Sequence, residues 1–343
     1  MSRCNYLGAI HIHTRFSDGT GDVESISNAA KKAGLSWIII TDHNSYDIKE
    51  GFYNGVCVIK GEELSPPTEN HYLALGIDKF LEYSENPEQN VKNVRAQGGF
   101  GIVAHPDESL QRKNNAAPIR WHDKSVVGDS IEIWNWFSDW ADNYDDTNIF
   151  KIAYSYVFRE NLIKGAHPET LKWWDEVNKN SEKIIPAVGG VDAHALKVRD
   201  YFVPVTIFPY KYCFETTQNL LSFDEPLPID FSSRKAKILD AIRNGKNIII
   251  NGKSKINPLD ITIKIYNTNS VFNCGETLYK DENTFLTIDL PKRLNVKIIL
   301  DGEIVFNQKT KNFSYKVENA GKYRVEVFDG KKPCIYSNPI QVF

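Results

Sequence analysis

Several features that would point to a particular class of protein are scarce in this sequence. Only five of its 343 residues are cysteines, they are scattered, and none forms a C-x-x-C pair. This pattern predicts reduced, mostly structural thiols and argues against a disulfide framework. No apolar run approaches the roughly 20 residues that a membrane-spanning helix needs. The net charge is only −3, so there is no basic surplus to attract nucleic acid or an anionic membrane.

The remaining bulk properties are those of a globular protein. Hydrophobic residues make up 41% of the chain and charged residues 25%, which is ordinary for such proteins. The length accommodates two domains and a sizeable core. The first candidate site residue is His11, which leaves no room for a signal peptide ahead of it. Together with the reduced cysteines, this predicts a cytoplasmic protein.

Histidine is also scarce, and its distribution is the most informative feature of the sequence. Six of the eight histidines, together with acidic residues, lie in five short clusters within the first two hundred positions. Each cluster follows a short apolar run that is typical of a strand. The clusters are His11 and His13 with Asp18, Asp42 with His43, Glu62 and Glu63 with His71, His105, and Asp192 with His194. Imidazole and carboxylate are the ligand set that Zn, Mn and Fe share. The clusters therefore predict one polynuclear metal centre.

The clusters are embedded in an alternation of strands and helices that extends to about residue 250. The predicted strands are 6–12, 37–40, 56–60, 72–77, 100–104, 131–134 and 184–191, and the predicted helices are 23–33, 91–97, 149–162, 169–178 and 232–244. This alternation predicts an α/β protein with a parallel sheet and crossover helices, either open or closed into a barrel. The clusters lie at or just past the carboxyl ends of predicted strands, where both architectures place their sites.

From about residue 256 onward the sequence predicts only short strands. They are 261–266, 285–290, 296–300, 303–306, 313–317, 323–328 and 340–343, with Asp-Gly turns at 301–302 and 329–330. We therefore expect an α/β domain over residues 1–255, which contains the metal centre, and a small Ig-like β-sandwich over residues 256–343. The sandwich could bind a glycan or a partner, but the favoured interpretation is that it covers one side of the first domain.

Nine side chains are candidate ligands, and that number favours more than one ion. His11 and His13 alternate along a predicted strand, so both point to one face, and Asp192 and His194 repeat the spacing. A carboxylate such as Glu63 has two oxygens and can bridge two metals. Nine ligands exceed what one ion uses, so we expect two or three divalent ions of Zn, Mn or Fe. The candidates are His11, His13, Asp18, His43, Glu63, His71, His105, Asp192 and His194.

The order of these motifs resembles that of a known superfamily. H-x-H followed by S-D-G, T-D-H-N, G-E-E-L-S, H-Y-L-A-L-G, I-V-A-H-P and G-G-V-D-A-H are similar to the motifs of the PHP (polymerase and histidinol phosphatase) metal-dependent phosphoesterases. Within that superfamily, segments 131–135 and 336–340 resemble the CehA/McbA-like metallohydrolases. The resemblance covers almost the whole chain. It implies a distorted (β/α)7 barrel with a trinuclear metal site at the carboxyl ends of the strands.

The resemblance also implies which residues share each ion. His11, His13, Glu63 and Asp192 would hold the first ion, Glu63, His71 and His105 the second, and Asp18, His43 and His194 the third. Glu63 is preferred to Glu62 because it matches the G-x-E pattern of the family. Glu63, Asp192 and His194 would be the catalytic residues.

Other polar residues near the motifs have different predicted roles. We expect Asp42 to accept a hydrogen bond from a ligating histidine rather than to bind metal. Glu62 should point away from Glu63, because neighbours on a strand alternate. His122 and His167 lie outside the clusters, and we expect them at the surface.

Two features bear on the substrate. Arg15 and Arg199 flank ligand motifs, and a guanidinium matches phosphate oxygens bidentately, although surface placement explains each almost as well. The aromatic run Trp134, Trp136, Phe137 and Trp140 could line a pocket, but core packing or an interdomain contact is the favoured interpretation.

The sequence thus predicts a metal-dependent hydrolase acting on a small-molecule substrate. The favoured reaction is phosphoester hydrolysis, in which a metal-bridging hydroxide attacks phosphorus. One alternative is hydrolysis of a carboxylic ester, carbamate or amide at the same centre. Another is a non-catalytic, metal-stabilised PHP module, against which the complete ligand set argues. The oligomeric state is left open.

Overall fold

The computed structural model describes residues 4–108, 119–145, 147–198 and 205–343. The strands of the first part of the chain are β1 (Cys4–Ile10), β2 (Trp37–Ile40), β3 (Gly51–Tyr53), β4 (Val56–Leu64), β5 (Tyr72–Leu75), β6 (Phe100–Val103), β7 (Ser130–Asn135), β8 (Ala187–Gly190), β9 (Lys197–Val198), β10 (Val205–Thr206), β11 (Thr217–Phe223) and β12 (Asn247–Asn251). The helices are α1 (Val23–Lys32), α2 (Pro87–Ala96), α3 (Trp136–Asp142), α4 (Ile149–Val157), α5 (Pro168–Asn180), α6 (Tyr210–Phe214) and α7 (Phe231–Arg243).

The strands that precede residue 191 form a continuous, mostly parallel series. β1 pairs with β2, β2 with β4, β6 with β7 and β7 with β8, all in parallel. The series returns to its start, because the amide of Val191 donates to the carbonyl of Ile10 at 3.1 Å and Ile12 bridges Ala193. The carboxyl ends of β1 and β8 therefore meet beside each other.

Among the strands predicted from the sequence, one runs against the expected parallel direction. β5 is antiparallel to both β4 and β6. The link from β4 to β5 covers only residues 65–71, whereas a parallel crossover needs about a dozen residues. The mixed α/β class is as predicted, but the sheet is not uniformly parallel.

Helix α1 shows how the local sequence builds the layer around the sheet. The side chain of Asp22 accepts a hydrogen bond from the amide of Ser25 at 2.9 Å, and the Ser25 side chain completes a capping box. Ile26 and Ala30, one turn apart, are fully buried in the largest hydrophobic core. The apolar face of α7 packs into a second core with inward side chains of β1, β2, β4, β5 and β6.

The second part of the chain consists of strands. They are β13 (Thr262–Tyr266), β14 (Val271–Phe272), β15 (Thr277–Leu278), β16 (Phe285–Leu300), β17 (Glu303–Lys316), β18 (Gly321–Asp329), β19 (Lys332–Ser337) and β20 (Ile340–Val342). They enclose their own hydrophobic core, in which Ile256 is the first buried residue along the chain and against which Ile248 of β12 also packs.

The strands predicted at 285–290 and 296–300 are one element, β16, and those at 303–306 and 313–317 are likewise one element, β17. The first half of β16 pairs with β13 and its second half with β18, with a register shift between Asp289 and Leu294. Pro291 lies within that shift, between the two predicted strands. A bulged strand that changes partners in this way carries the chain from one layer of strands to another.

The two parts of the chain are joined by strand pairing and by buried polar contacts. β19 pairs with β12 and thereby extends the first sheet. The side chain of Asn338 accepts from the amide of Ala187 at 2.7 Å and donates to the carbonyls of Ala187 and Asn247 at 2.9 and 3.0 Å. Arg324 forms a two-pronged ion pair with Asp175 of α5, at 2.6 and 2.7 Å. These contacts brace β8 and α5 from the far end of the chain.

Some elements differ from the prediction. Helix α4 ends at Val157 and is followed by a separate 3-10 turn at Arg159–Asn161, instead of running to residue 162. β11 and β12 were not predicted, because polar residues leave only short apolar runs in them, Leu220–Leu221 in β11 and Ile248–Ile250 in β12. Among the described helices, none is both long enough and apolar enough to cross a membrane.

Candidate metal centre

The nine predicted ligands come together where the carboxyl ends of the strands meet. His11 and His13 follow β1, His43 follows β2, Glu63 lies near the end of β4, and His105 follows β6. Asp192 and His194 follow β8. His71 comes directly before β5 and still reaches the site, because this strand is antiparallel and begins at the same edge.

The backbone at the paired motifs differs from the predicted strand alternation. β1 ends at Ile10 and β8 at Gly190, and the next polar residues, His11 and Asp192, have positive φ angles of 70° and 49°. His105 is also in this region, with φ of 27°. Residues other than glycine avoid such conformations, and they persist where surrounding structure holds them. The left-handed backbone at these residues replaces the alternation of a strand.

The first group of ligand atoms is centred on Glu63 and Asp192. His11 Nε2 lies 3.3 Å from Glu63 Oε2 and 3.5 Å from Asp192 Oδ1. His13 Nε2 lies 3.4 and 3.2 Å from the same two oxygens. These side chains match the set expected to share the first ion.

The second group uses the other oxygen of Glu63. His71 Nδ1 lies 2.8 Å and His105 Nε2 lies 3.4 Å from Glu63 Oε1. Because Glu63 is fully buried and divides its two oxygens between two histidine groups, it has the geometry of a bridging ligand.

The third group lies nearer the surface. Asp18 Oδ1 is 3.1 Å from His194 Nε2 and 3.7 Å from His43 Nε2, and 3.9 Å from His13 Nδ1. The Asp18 side chain is 57% exposed, which makes this the most accessible side of the centre.

Several ligand atoms in these groups have no hydrogen-bond partner in the protein, as is expected of atoms that bind a metal. Both ring nitrogens of His13, Nε2 of His11 and Oε2 of Glu63 are buried and have no hydrogen-bond partner. Buried polar atoms are otherwise almost always paired. Four sets of three or four ligand atoms lie within 4.8 Å of one another. Nitrogen and oxygen donors at this spacing fit divalent cations such as Zn, Mn or Fe.

Burial and neighbouring charges both shift the pKa values of the ligand side chains, and for most of them the two effects oppose each other. Burial alone would raise the pKa of Glu63 and Asp192, but the surrounding histidines hold both well below the usual range. Burial opposes protonation of His105 and His194, yet nearby carboxylates raise the pKa of each to about 9. Burial and two neighbouring histidines lower the pKa of His13 to about 3. Without metal, the carboxylates are thus balanced by imidazolium groups.

Comparison with known families agrees with this geometry. The family model for the PHP domain matches residues 9–200, more than half of the chain. The chain belongs to the PHP family. The family prediction is confirmed, and the match includes all nine candidate ligands. Membership in the PHP family and the histidine–carboxylate clusters together support a metal-dependent hydrolase.

Individual relatives of this PHP protein are distant. The uncharacterized protein MJ1587 of Methanocaldococcus jannaschii is 30% identical over an alignment that covers 28% of this chain and 66% of the relative. A two-domain protein from Bacteroides vulgatus, described as containing a predicted PHP-like metal-dependent phosphoesterase, has a TM-score of 0.44 at 15% identity and covers 98% of this chain and 96% of its own.

Two further solved structures are also similar to parts of the chain. PsfC from Pseudomonas syringae has a TM-score of 0.35 at 11% identity, covering 70% of this chain and 98% of its own. An amidohydrolase from Chromobacterium violaceum has a TM-score of 0.33 at 13% identity, covering 59% and 92%. Likenesses this distant carry no information on the reaction of this PHP protein.

Asp42 supports the centre in a different way from the one expected. Its carboxylate accepts from the amide and hydroxyl of Thr14 at 2.6 and 2.7 Å and from the hydroxyl of Ser17 at 2.6 Å, not from a histidine. It therefore shapes the loop that joins His13 to Asp18.

Glu62 and the outlying histidines lie away from the ligands. The Glu62 carboxylate accepts from the amide of Leu81 at 3.0 Å on the opposite side of β4. His122 and His167 are exposed.

Sequence reasoning missed two buried acids beside the centre. Glu132 in β7 lies 2.9 Å from His11 Nδ1, and Glu108 lies 3.5 Å from His105 Nδ1. The signal for Glu132 was present, because a carboxylate inside an apolar strand repeats the situation of Glu63 in β4. Glu108 sits in a loop and had no comparable signal.

The residues considered for substrate binding have different surroundings. Arg15 is 65% exposed, with its nearest acidic partner, Asp22, at 4.0 Å, and Arg199 lies outside the described residues. The tryptophans at 134, 136 and 140 are buried in the core, whereas Phe137 has its ring centre 6.0 Å from that of His194. A cavity of about 430 Å³ opens beside His105.

Proposed function

We propose that this PHP protein is a phosphoesterase with a di- or trinuclear centre built by the nine ligands. The observation that carries the proposal is the position of Glu63, whose two oxygens face two groups of histidines, while His43 of the third group also lies 2.8 Å from Glu63 Oε2 through its Nδ1. Two or three divalent ions, when bound close together, lower the pKa of a water and neutralise charge that develops on phosphoryl oxygens.

The protein's own residues have distinct roles in this proposal. Glu63 and Asp192 supply the negative charge that holds ions together in a buried site. His194 and Asp18 would hold the ion on the accessible side of the centre, nearest to an incoming substrate. The complete ligand set argues against a non-catalytic module, because such a module has no need of every ligand.

One observation favours a second candidate, the hydrolysis of a carboxylic ester, carbamate or amide. Among the described residues, the groups that act most strongly on the pKa of each ligand are histidines and carboxylates, with no lysine or arginine among them. A phosphate would depend on the metal ions for charge neutralisation, whereas a neutral ester needs no further cation.

A panel of aryl esters with one leaving group separates these candidates. Protein loaded with Zn, Mn or Fe should hydrolyse p-nitrophenyl phosphate or bis(p-nitrophenyl) phosphate faster than p-nitrophenyl acetate. Activity should vanish with a chelator and in Glu63→Gln, and persist in the matched variant Glu62→Gln. Turnover of carboxyl or carbamate esters with every phosphoester inert would favour the second candidate. No turnover by metal-loaded protein would favour the non-catalytic module.

We also propose a domain boundary near residues 255 and 256, with a distorted seven-stranded barrel before it and a β-sandwich after it. The return of the strand series from β8 to β1 supports the barrel, and the partner change along β16 supports the sandwich. We propose a cytoplasmic location, because the described cysteines form no disulfide.

A further inference from the structure

We infer that Glu132 is a positioning residue whose single carboxylate orients the ligands of two proposed ions at once. This inference rests on the proposed metal-binding role of the nine ligands. Glu132 is 1% exposed, lies in the middle of β7, and belongs to none of the ligand motifs.

Each oxygen of Glu132 contacts a different ligand residue. Oε1 lies 2.9 Å from His11 Nδ1, and Oε2 accepts from the backbone amide of His105 at 2.7 Å. A carboxylate offers only acceptors, so His11 donates from Nδ1 and presents Nε2 to the centre. His11 belongs to the first ligand group and His105 to the second.

Asn135, three residues further along the chain, extends the same arrangement to a third ligand. Its side-chain amide lies 3.1 Å from Glu132 Oε2 and 3.4 Å from Asp192 Oδ2. Its carbonyl oxygen caps α3 by accepting from the amide of Ser138 at 2.9 Å. Glu132 and Asn135 therefore tie three ligands to the rigid junction of β7 and α3.

The three tied ligands are the ligands whose backbone is left-handed. His11, His105 and Asp192 have positive φ angles, and no other described residue of the proposed ligand set does. Residues other than glycine keep such a backbone only where the surrounding structure holds it. The contacts of Glu132 and Asn135 converge on these positions, which explains how the strained geometry is maintained.

The Glu132 carboxylate occupies space that is free only because residue 190 is a glycine without a side chain. A Cβ atom at Gly190 would lie 1.5 Å from Glu132 Oε1 and 3.2 Å from the His11 Cβ. The φ of Gly190 is not positive, so alanine is excluded there by the carboxylate and not by the backbone conformation. Gly190 also ends β8, directly before the segment that carries Asp192.

The third ligand group has separate support. Asp42 holds the loop between His13 and Asp18 through Thr14 and Ser17. Glu132 contacts none of these residues in the described structure. The two carboxylates therefore stabilise different parts of the centre.

The variant Glu132→Gln tests the inference with almost no change of shape. An amide has one acceptor oxygen, so it cannot accept from both His11 and His105. Whichever way the amide turns, one donor faces another donor. Zinc affinity, measured by competition with a chelating dye, should fall by about 10- to 100-fold for the two ions that share Glu63. The third ion should be retained, and the visible spectrum of the cobalt-loaded protein should change.

Asp139→Asn is the matched control, because it replaces another buried carboxylate that holds backbone amides. Asp139 accepts from the amides of Lys164 and Gly165 and from the Trp134 indole, and contacts no ligand. It should lower the melting temperature of the metal-free protein without weakening zinc binding. If Glu132→Gln weakens zinc binding no more than this control, the inference is wrong.

A second variant reaches the same carboxylate from the other side. Gly190→Ala should displace Glu132 and weaken zinc binding, and the double variant with Glu132→Gln should be no weaker than the stronger single variant. Additive losses would show that Gly190 acts independently and would contradict the inference. Wild-type protein that binds no zinc would overturn the proposed function itself, whereas zinc binding that is equal in wild type and Glu132→Gln overturns only the role of Glu132.

Discussion

Replacing Glu63 with glutamine should remove the carboxylate that is proposed to bridge two of the metal ions. The variant keeps the size of the side chain but replaces one charged oxygen with an amide nitrogen. Ring nitrogens of five histidines lie between 2.8 and 3.4 Å from the two Glu63 oxygens. No other carboxylate of the centre contacts so many.

The expected magnitude follows from these contacts. Residues that only support a metal ligand change affinity by about 10- to 100-fold, so loss of a bridging ligand should weaken two ions by at least about 100-fold. In the metal-free protein, removing one member of a buried charge pair costs about 3–5 kcal/mol. For a chain of 343 residues this corresponds to a fall in melting temperature of about 4–7 °C.

Two measurements check this prediction. Metal content after equilibration against a chelator buffer should fall by two ions, and thermal unfolding of the metal-free variant should shift as estimated. Glu62→Gln is the control, because that carboxylate is the chain neighbour but faces Leu81 instead of the histidines. A Glu63→Gln protein with wild-type metal content and melting temperature would refute the bridging role.

Other predictions follow from the ionisation of single groups. Carboxylates raise the pKa of His105 and His194 to about 9, so metal binding near pH 7 should release protons and should become stronger as the pH rises toward 9. Calorimetry in buffers of different ionisation enthalpy should detect the released protons. A binding enthalpy that does not depend on the buffer would contradict this prediction. Burial raises the pKa of Glu62 from 4.5 to about 7, so its charged form is disfavoured in the fold. Wild type should therefore lose stability as the pH rises through that range, and Glu62→Gln should gain about 1–3 kcal/mol relative to it, measured by urea unfolding at about pH 5 and pH 8. Arg324→Ala should cost about 3–5 kcal/mol, because it leaves the buried carboxylate of Glu326 and the partly buried carboxylate of Asp175 without their partner. Lys292→Ala, which breaks the exposed pair with Asp329, should be nearly neutral in the same assay. Equal effects would show that burial does not matter here.

Much of the site could be predicted because its information is local. A short apolar strand followed by a histidine or an acid can be recognised from a few residues. Parallel strands bring their carboxyl ends to one edge, so the clusters at His11, His43, His105 and Asp192 were expected to lie together. The PHP family match then accounts for the order of the motifs.

The remainder depended on information that is not local. The direction of β5 is set by a connection too short for a crossover, and the partner change along β16 looked like a gap between two strands. The left-handed backbone at His11 and Asp192 is stabilised by residues on β7 that are far away in the sequence. Glu132 stands out in the sequence only as a carboxylate within an apolar strand. Its role depends on the pairing of β7 with β6, which leads to His105, and with β8, which lies beside the end of β1 and His11.

The hydrogen bonds between the Asn338 side chain and Ala187 have a consequence for the order in which the site is completed during protein synthesis. This side chain secures Ala187 at the start of β8, although it follows Ala187 by 151 residues. A ribosome therefore produces the strand that leads to Asp192 long before the residue that braces it. We therefore expect the ligands to reach their final geometry, and to bind metal in it, only after the last strands have emerged from the ribosome.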